Sequence, residues 1–163
     1  MLAQGSLIIS TLKTILISPA IRAAAIGATL MTLAGTAPGH ATSDNAVQIR
    51  IDLSKQQMFV SVNGWRKYTW PISSARDGFN TPEGLYRPVR MYEDYRSKEY
   101  NNASMPYSIF FYRGYAIHGT TAIKSLGQPA SHGCVRLHPD NAKELYELVE
   151  LNGKDNTRVF ITE

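Results

Sequence analysis

The chain has 163 residues, 44% of them hydrophobic and 18% charged, values that suit one globular domain and exclude a disordered chain. Net charge is +4 and the pI is near 9.2, but the basic residues are scattered, with no stripe of Lys and Arg interleaved with aromatics. That pattern argues against a nucleic-acid partner, while a mildly basic surface suits an anionic polymer.

The N-terminus reads as a secretory leader. Ala23 to Gly35 is an apolar run, AAAIGATLMTLAG, preceded by Arg22 and, further back, Lys13. TAPGHA follows, with Gly39 and Ala41 placed for cleavage between Ala41 and Thr42. Residues 1–41 are therefore expected to be a signal peptide, and residues 42–163 the working domain. An uncleaved anchor is the alternative, although the run from Ala23 is short for a bilayer. Either reading exports the domain. Lys13 and Arg22 belong to a leader without acidic residues, so the remainder carries a net charge of +2. One cysteine, Cys134, is present. It cannot form an internal disulfide and must be a buried filler, an intermolecular link or a reactive thiol.

Val47 to Leu53, VQIRIDL, alternates as a half-buried strand does. Met58 to Val62 is a second strand, Asn63-Gly64 a two-residue hairpin turn, and Trp65 to Ile72 the returning strand. Ser73 to Gly84 is a loop with Gly78, Pro82 and Gly84, and Leu85 to Met91 a further strand. Glu93 to Ser104 has no clear period and reads as an irregular excursion. Tyr107 to Tyr112 and Tyr115 to Ile117 are strands joined at Arg113-Gly114, and a Gly- and Pro-containing loop runs from Thr120 to Ala130. One helix follows. Pro139 suits its first turn and Asp140 its positive end. Ala142, Leu145, Tyr146 and Val149 share a face, and Asn152-Gly153 ends it. Thr157 to Thr162 is the last strand. The fold class is mainly β, a sandwich with one principal helix after the cysteine.

The chemistry concentrates between Ala116 and Leu137: AIHGT, the loop, then SHGCVRL. A nucleophilic thiol needs a base, backbone donors for an oxyanion, and access. His118, at a strand end, is the candidate base for Cys134. Gly133 lets the backbone turn, which makes the N–H groups of Gly133 and Cys134 the candidate oxyanion donors. His132 is a rival base, but near neighbours on an extended segment favour a shaping role for it. His118 as a hydrogen-bonded structural histidine stays open. Zinc is disfavoured, since His118, His132 and Cys134 make only three ligands with poor spacing. No metal or cofactor is expected. His138 belongs at the helix entrance and His40 in the leader.

The HG…SHGC pattern resembles the catalytic domain of the bacterial L,D-transpeptidases. SHGCVRL followed by PDNAKELYELV is similar to that family's signature region, as are TPEG at Thr81 to Gly84 and MPYSIFF at Met105 to Phe111. The likeness runs from about Val47 to Ile161. One variation is Arg136, where many members carry Asn.

The resemblance implies the family's β-sandwich and a thioester mechanism. Cys134 would attack the carbonyl of the diamino acid at position three of a peptidoglycan tetrapeptide stem, and the terminal D-alanine would leave. His118 would take the thiol proton, its ring oriented by the Gly119 carbonyl, with Ser131, His132 and Gly133 shaping the site. The acceptor would be the amine of a second stem, a protein of the outer membrane, or water. Family members are often inactivated by carbapenems acting on the same thiol. Arg136 is a forked donor that suits a stem carboxylate, with a surface ion pair as the alternative. Tyr107 is a candidate for the donor pocket or else a core aromatic. The 120–130 loop is either a lid or a rigid connection. A general cysteine peptidase and a wall-binding module with a dead site are the competing readings. The expected location is the periplasm or cell envelope.

Overall fold

The structure is a computed structural model, and it describes residues 46–163. The expected leader, 1–41, lies outside the described residues. No helix among the described residues is long and apolar enough to cross a membrane.

Alternation at Val47, Ile49 and Ile51 builds β1 (Val47–Asp52), with these three side chains fully buried while Gln48 and Arg50 face solvent. β2 (Gln57–Val62) pairs with it antiparallel, and β3 (Trp65–Pro71) pairs with β2 across Asn63-Gly64. Both turn residues take positive φ, 50° and 84°, as a tight hairpin of this hand requires.

The single strand expected over Leu85–Met91 is two strands in different sheets. β4 (Gly84–Tyr86) and β5 (Arg90–Tyr92) are separated by Arg87-Pro88-Val89. Pro88 has no N–H to offer a ladder, and the chain crosses between sheets there. The Glu93–Ser104 excursion contains a two-stranded ribbon, β6 (Arg96–Ser97) and β7 (Ala103–Ser104). Asn101 and Asn102, both at positive φ, turn it. Tyr107 also sits at positive φ, so β8 (Ser108–Tyr112) begins one residue later than expected. β9 (Tyr115–Gly119) returns from it and runs through His118. β10 (Val135–Leu137) starts directly after Cys134.

α1 (Pro139–Asn152) follows, with Pro139 in its first turn and the His138 ring capping the Asp140 N–H at 3.3 Å. Ala142, Leu145, Tyr146, Leu148 and Val149 are buried, and Gly153, at φ 87°, ends the helix. β11 (Thr157–Thr162) closes the fold.

A five-stranded sheet has the order β3-β2-β1-β11-β4, and a four-stranded sheet the order β10-β9-β8-β5. β1 and β11 are parallel, as are β9 and β10. Val47, Ile49, Ile51, Met58 and Val60 of the first sheet meet Ile109, Phe111, Ile117, Val135 and Leu137 of the second, together with the apolar face of α1, in one core. Each such side chain contributes about 1.5–3 kcal/mol of burial, which fixes the second sheet's register. The segment after β3 reaches across as well: Ser73 bridges Arg136 and Ala75 bridges Ser131. The strand following Cys134 is thus held along both edges.

Candidate functional site

The parallel pairing of β9 and β10 sets the site. Ile117 lies beside Val135 and His118 beside Arg136. Ile117, Val135 and Leu137 point into the core, so His118, Cys134 and Arg136 occupy the opposite face of the same sheet. Stepping the register back by one residue puts Cys134 beside Ala116, against which it packs. His118 and Cys134 are therefore diagonal neighbours. Both line a cavity of about 840 Å³, whose other walls include Thr120, Ser131, His132 and Arg136.

His118 is buried, and its Nδ1 is 2.7 Å from the Gly119 carbonyl. A carbonyl only accepts, so Nδ1 carries the proton and Nε2 keeps its lone pair. Nε2 has no hydrogen bond among the described residues, to the Cys134 thiol or to any other group. Burial holds the imidazole's pKa down to about 4, with the Arg136 charge adding to this and the Gly119 bond opposing it. The ring is neutral at ordinary pH. Gly119 itself leaves little room: a Cβ there would stand 3.1 Å from Pro106 Cγ and 3.2 Å from Pro139 Cα.

Cys134 is half-buried, and its thiol donates weakly to the Gly114 carbonyl at 3.8 Å. Burial pushes the thiol's pKa up, the Ala116 backbone and the Arg136 guanidinium pull it down, and the Glu99 carboxylate pushes it up. The resting groups are a thiol turned to the Gly114 carbonyl and a neutral imidazole on the same sheet face, with no hydrogen bond between them. Arg136 is half-buried, bonds the Ala130 carbonyl at 3.3 Å and forms no ion pair among the described residues. Its fork is left open toward the cavity.

His132 is occupied differently. The Arg76 guanidinium lies 2.8 Å from its Nε2, and guanidinium only donates, so that nitrogen's lone pair is already used. The ring also stacks on Tyr100 at 4.8 Å and meets the Phe79 edge at 4.6 Å. It forms part of the cavity wall and is poorly placed to accept a thiol proton.

Gly133 has φ 129°, and a Cβ there would come within 2.5 Å of the Tyr115 ring and 2.9 Å of the Asn80 carbonyl. Its N–H donates to Ser131 Oγ at 2.9 Å, so it does not point freely into the cavity as the sequence suggested. That leaves the Cys134 N–H as the candidate oxyanion donor. Tyr107 does not line the cavity. It packs at the core margin with its ring 5.9 Å from that of Tyr146 on α1. In the 120–130 loop, Thr120, Thr121 and Ala122 touch the cavity. The far end of this loop is tied down, Gly127 N–H to Ile72 O at 2.7 Å and Ala130 N–H to Ser74 O at 2.9 Å, as a fixed connection would be.

Three features were missed by sequence reasoning. The β6–β7 ribbon covers the cavity with Glu99, Tyr100 and Asn101. Arg76 engages His132. Thr81 is buried, accepts the Ala75 N–H at 3.0 Å and donates to the Gly133 carbonyl at 2.9 Å, which pins the turn before Cys134. TPEG was the one available signal for Thr81.

A β-sandwich that presents a lone cysteine and a neutral histidine on one sheet face, in one cavity, is an arrangement suited to thiol-dependent acyl transfer. A family model described as YkuD, L,D-transpeptidase catalytic domain, matches residues 46–161, and the chain belongs to that family. The putative L,D-transpeptidase YkuD of Bacillus subtilis (strain 168) is 29% identical over 117 residues, 69% of this chain and 64% of that protein. The probable L,D-transpeptidase YbiS of Escherichia coli (strain K12) is 47% identical over 58 residues, 35% of this chain and 18% of that protein. The chain thus spans less than two thirds of either relative. Among solved structures, an L,D-transpeptidase from Mycobacterium smegmatis shares the fold with a TM-score of 0.65 at 20% identity, over 72% of this chain and 59% of that one.

Proposed function

We propose that this chain is an exported L,D-transpeptidase of the periplasm or cell envelope, acting on peptidoglycan tetrapeptide stems. The donor carbonyl, on the diamino acid at position three, enters beside Cys134. The Cys134 Sγ–carbon bond forms while the thiol proton moves to His118 Nε2. The Cys134 N–H steadies the developing oxyanion. The carbon–nitrogen bond to D-alanine then breaks, and the proton held on His118 passes to the leaving amine. The thioester keeps the acyl group activated without an external energy source. An acceptor amine attacks it, gives a proton to His118, and the thiol is restored. An amine from a second stem makes a cross-link, an amine from an outer-membrane protein tethers that protein, and water gives carboxypeptidase activity.

The observation that carries this reading is the 2.7 Å contact between His118 Nδ1 and the Gly119 carbonyl. With Nδ1–H committed to the Gly119 carbonyl, the free Nε2 lone pair belongs to a base facing the same cavity as Cys134. A thiol and imidazole that are both neutral at rest suit a proton transfer coupled to attack. Mass analysis of products from a defined disaccharide tetrapeptide tests the reading. Loss of D-alanine with formation of a dimer is expected, and Cys134→Ala abolishes both. Unchanged tetrapeptide with a folded, reduced enzyme would refute it.

A further inference from the structure

The turn between β8 and β9 abuts the candidate nucleophile, since the Gly114 carbonyl accepts from the Cys134 thiol. Leading away from that contact is a run of tyrosines. Tyr115 lines the cavity, and its ring stacks on Tyr112 with centroids 6.2 Å apart and planes 16° apart. Tyr112 in turn meets Tyr86 at 5.5 Å. Tyr112 is 36% exposed, and the Arg113 guanidinium lies 5.2 Å from its ring centroid. None of these residues has a place in the acyl-transfer chemistry. Tyr115 and Tyr86 are half-buried and packed on the core, which leaves Tyr112 as the exposed member of a row that begins in the cavity.

The strand register gives the row a direction. Along β9, Tyr115 precedes the Ala116–Cys134 pair, and the His118–Arg136 pair follows it. The sulfur therefore lies between Tyr115 on one side and Arg136 on the other. A scissile bond placed at the sulfur puts the two halves of the donor on opposite sides. The leaving D-alanine ends in a carboxylate, which matches the unpaired Arg136 fork. The acyl half must then run toward Tyr115 and Tyr112. Three stem residues, counting the one attacked, span roughly 10 Å when extended. The Tyr115 and Tyr112 centroids are 6.2 Å apart, so that length carries the stem past Tyr115 to Tyr112, where its sugar attachment arrives. A pyranose ring has an apolar C–H face and a hydroxyl rim. The Tyr112 ring face and hydroxyl, with the Arg113 guanidinium beside them, offer a partner for each.

We propose that Tyr112, with Arg113 at its margin, forms a subsite for the glycan of the donor strand, so that the enzyme reads the sugar as well as the peptide. This rests on the transpeptidase reading above and extends it from the stem to the polymer that bears it.

The test compares one tetrapeptide with and without its disaccharide, using wild type, Tyr112→Ala and Tyr112→Phe. Tyr112→Ala raises KM for the disaccharide substrate by about 5-fold, the value of one aromatic contact, and leaves KM and kcat for the bare peptide unchanged. Tyr112→Phe keeps the ring face and stays near wild type. Equal changes on both substrates, or none on the disaccharide, would overturn the subsite while leaving the transpeptidase reading intact. A folded wild-type enzyme that turns over neither substrate would overturn that reading, and the subsite with it.

Discussion

The two sheets teach different lessons about how sequence encodes purpose. The five-stranded sheet is buried on one face, and β1 shows it as strict alternation, Val47, Ile49 and Ile51 inward against Gln48 and Arg50 outward. β9 in the four-stranded sheet has no such rhythm, because Ala116, Ile117, His118 and Gly119 are all buried. Its inner face packs on the core, and its outer face is covered by the cavity walls and the β6–β7 ribbon. A strand buried on both sides loses the period-two signal and keeps only its chemistry. The first sheet should therefore govern stability, and the outer face of the second should govern activity.

The sharpest separation comes from opposite substitutions in the two sheets. Ile49→Ala removes a fully buried side chain from β1 and should cost about 2–5 kcal/mol of stability by chemical denaturation. The folded fraction should still acylate at the wild-type rate; a fall in that rate would couple the two sheets and break the comparison. Next comes His118. The unfolded chain binds a proton on this residue below its usual 6.5, whereas the folded ring resists it until about 4. Stability from this burial is complete above pH 6.5 and is lost as pH falls toward 4, by up to roughly 3 kcal/mol. Denaturation midpoints from pH 7 to 4 should fall more steeply for wild type than for His118→Gln, and parallel curves would contradict the buried neutral ring.

Gly133→Ala should lower acylation by about 100-fold, because the added carbon meets Tyr115 and Asn80 within 3 Å and must displace the turn that carries the thiol. Gly64→Ala is the matched control: it too sits at positive φ, but its Cβ meets nothing within 4 Å, so stability falls slightly and acylation not at all. The smallest expected effect is at Thr81. Thr81→Val keeps the shape but leaves the Ala75 N–H and the Gly133 carbonyl unpaired, costing about 1–2 kcal/mol in stability with a several-fold slower acylation. A variant as active as wild type would remove Thr81 from the positioning of Cys134.

Much of the frame was legible because local rules and tertiary packing agree. Asn63-Gly64 turned where a tight hairpin must, and Pro139 and Gly153 bounded α1. His118 and Cys134 stood out through motif and strand position, and the structure brings them to one cavity. What was missed depends on long-range partners. Pro88 divides an apolar run between two sheets, which no local period records. The commitment of the Gly133 N–H to Ser131, the displacement of Tyr107 toward α1 and the covering of the cavity by Tyr100 arise only once the chain is folded.

The central claim is that Cys134 is the nucleophile and His118 the base that activates it. Intact-mass spectrometry after incubation with a carbapenem tests it most directly, with wild type, Cys134→Ala and His118→Gln side by side. One covalent adduct that maps to Cys134, absent from Cys134→Ala and formed far more slowly in His118→Gln, is the predicted result. An adduct that persists in Cys134→Ala, or wild-type kinetics in His118→Gln, would contradict it.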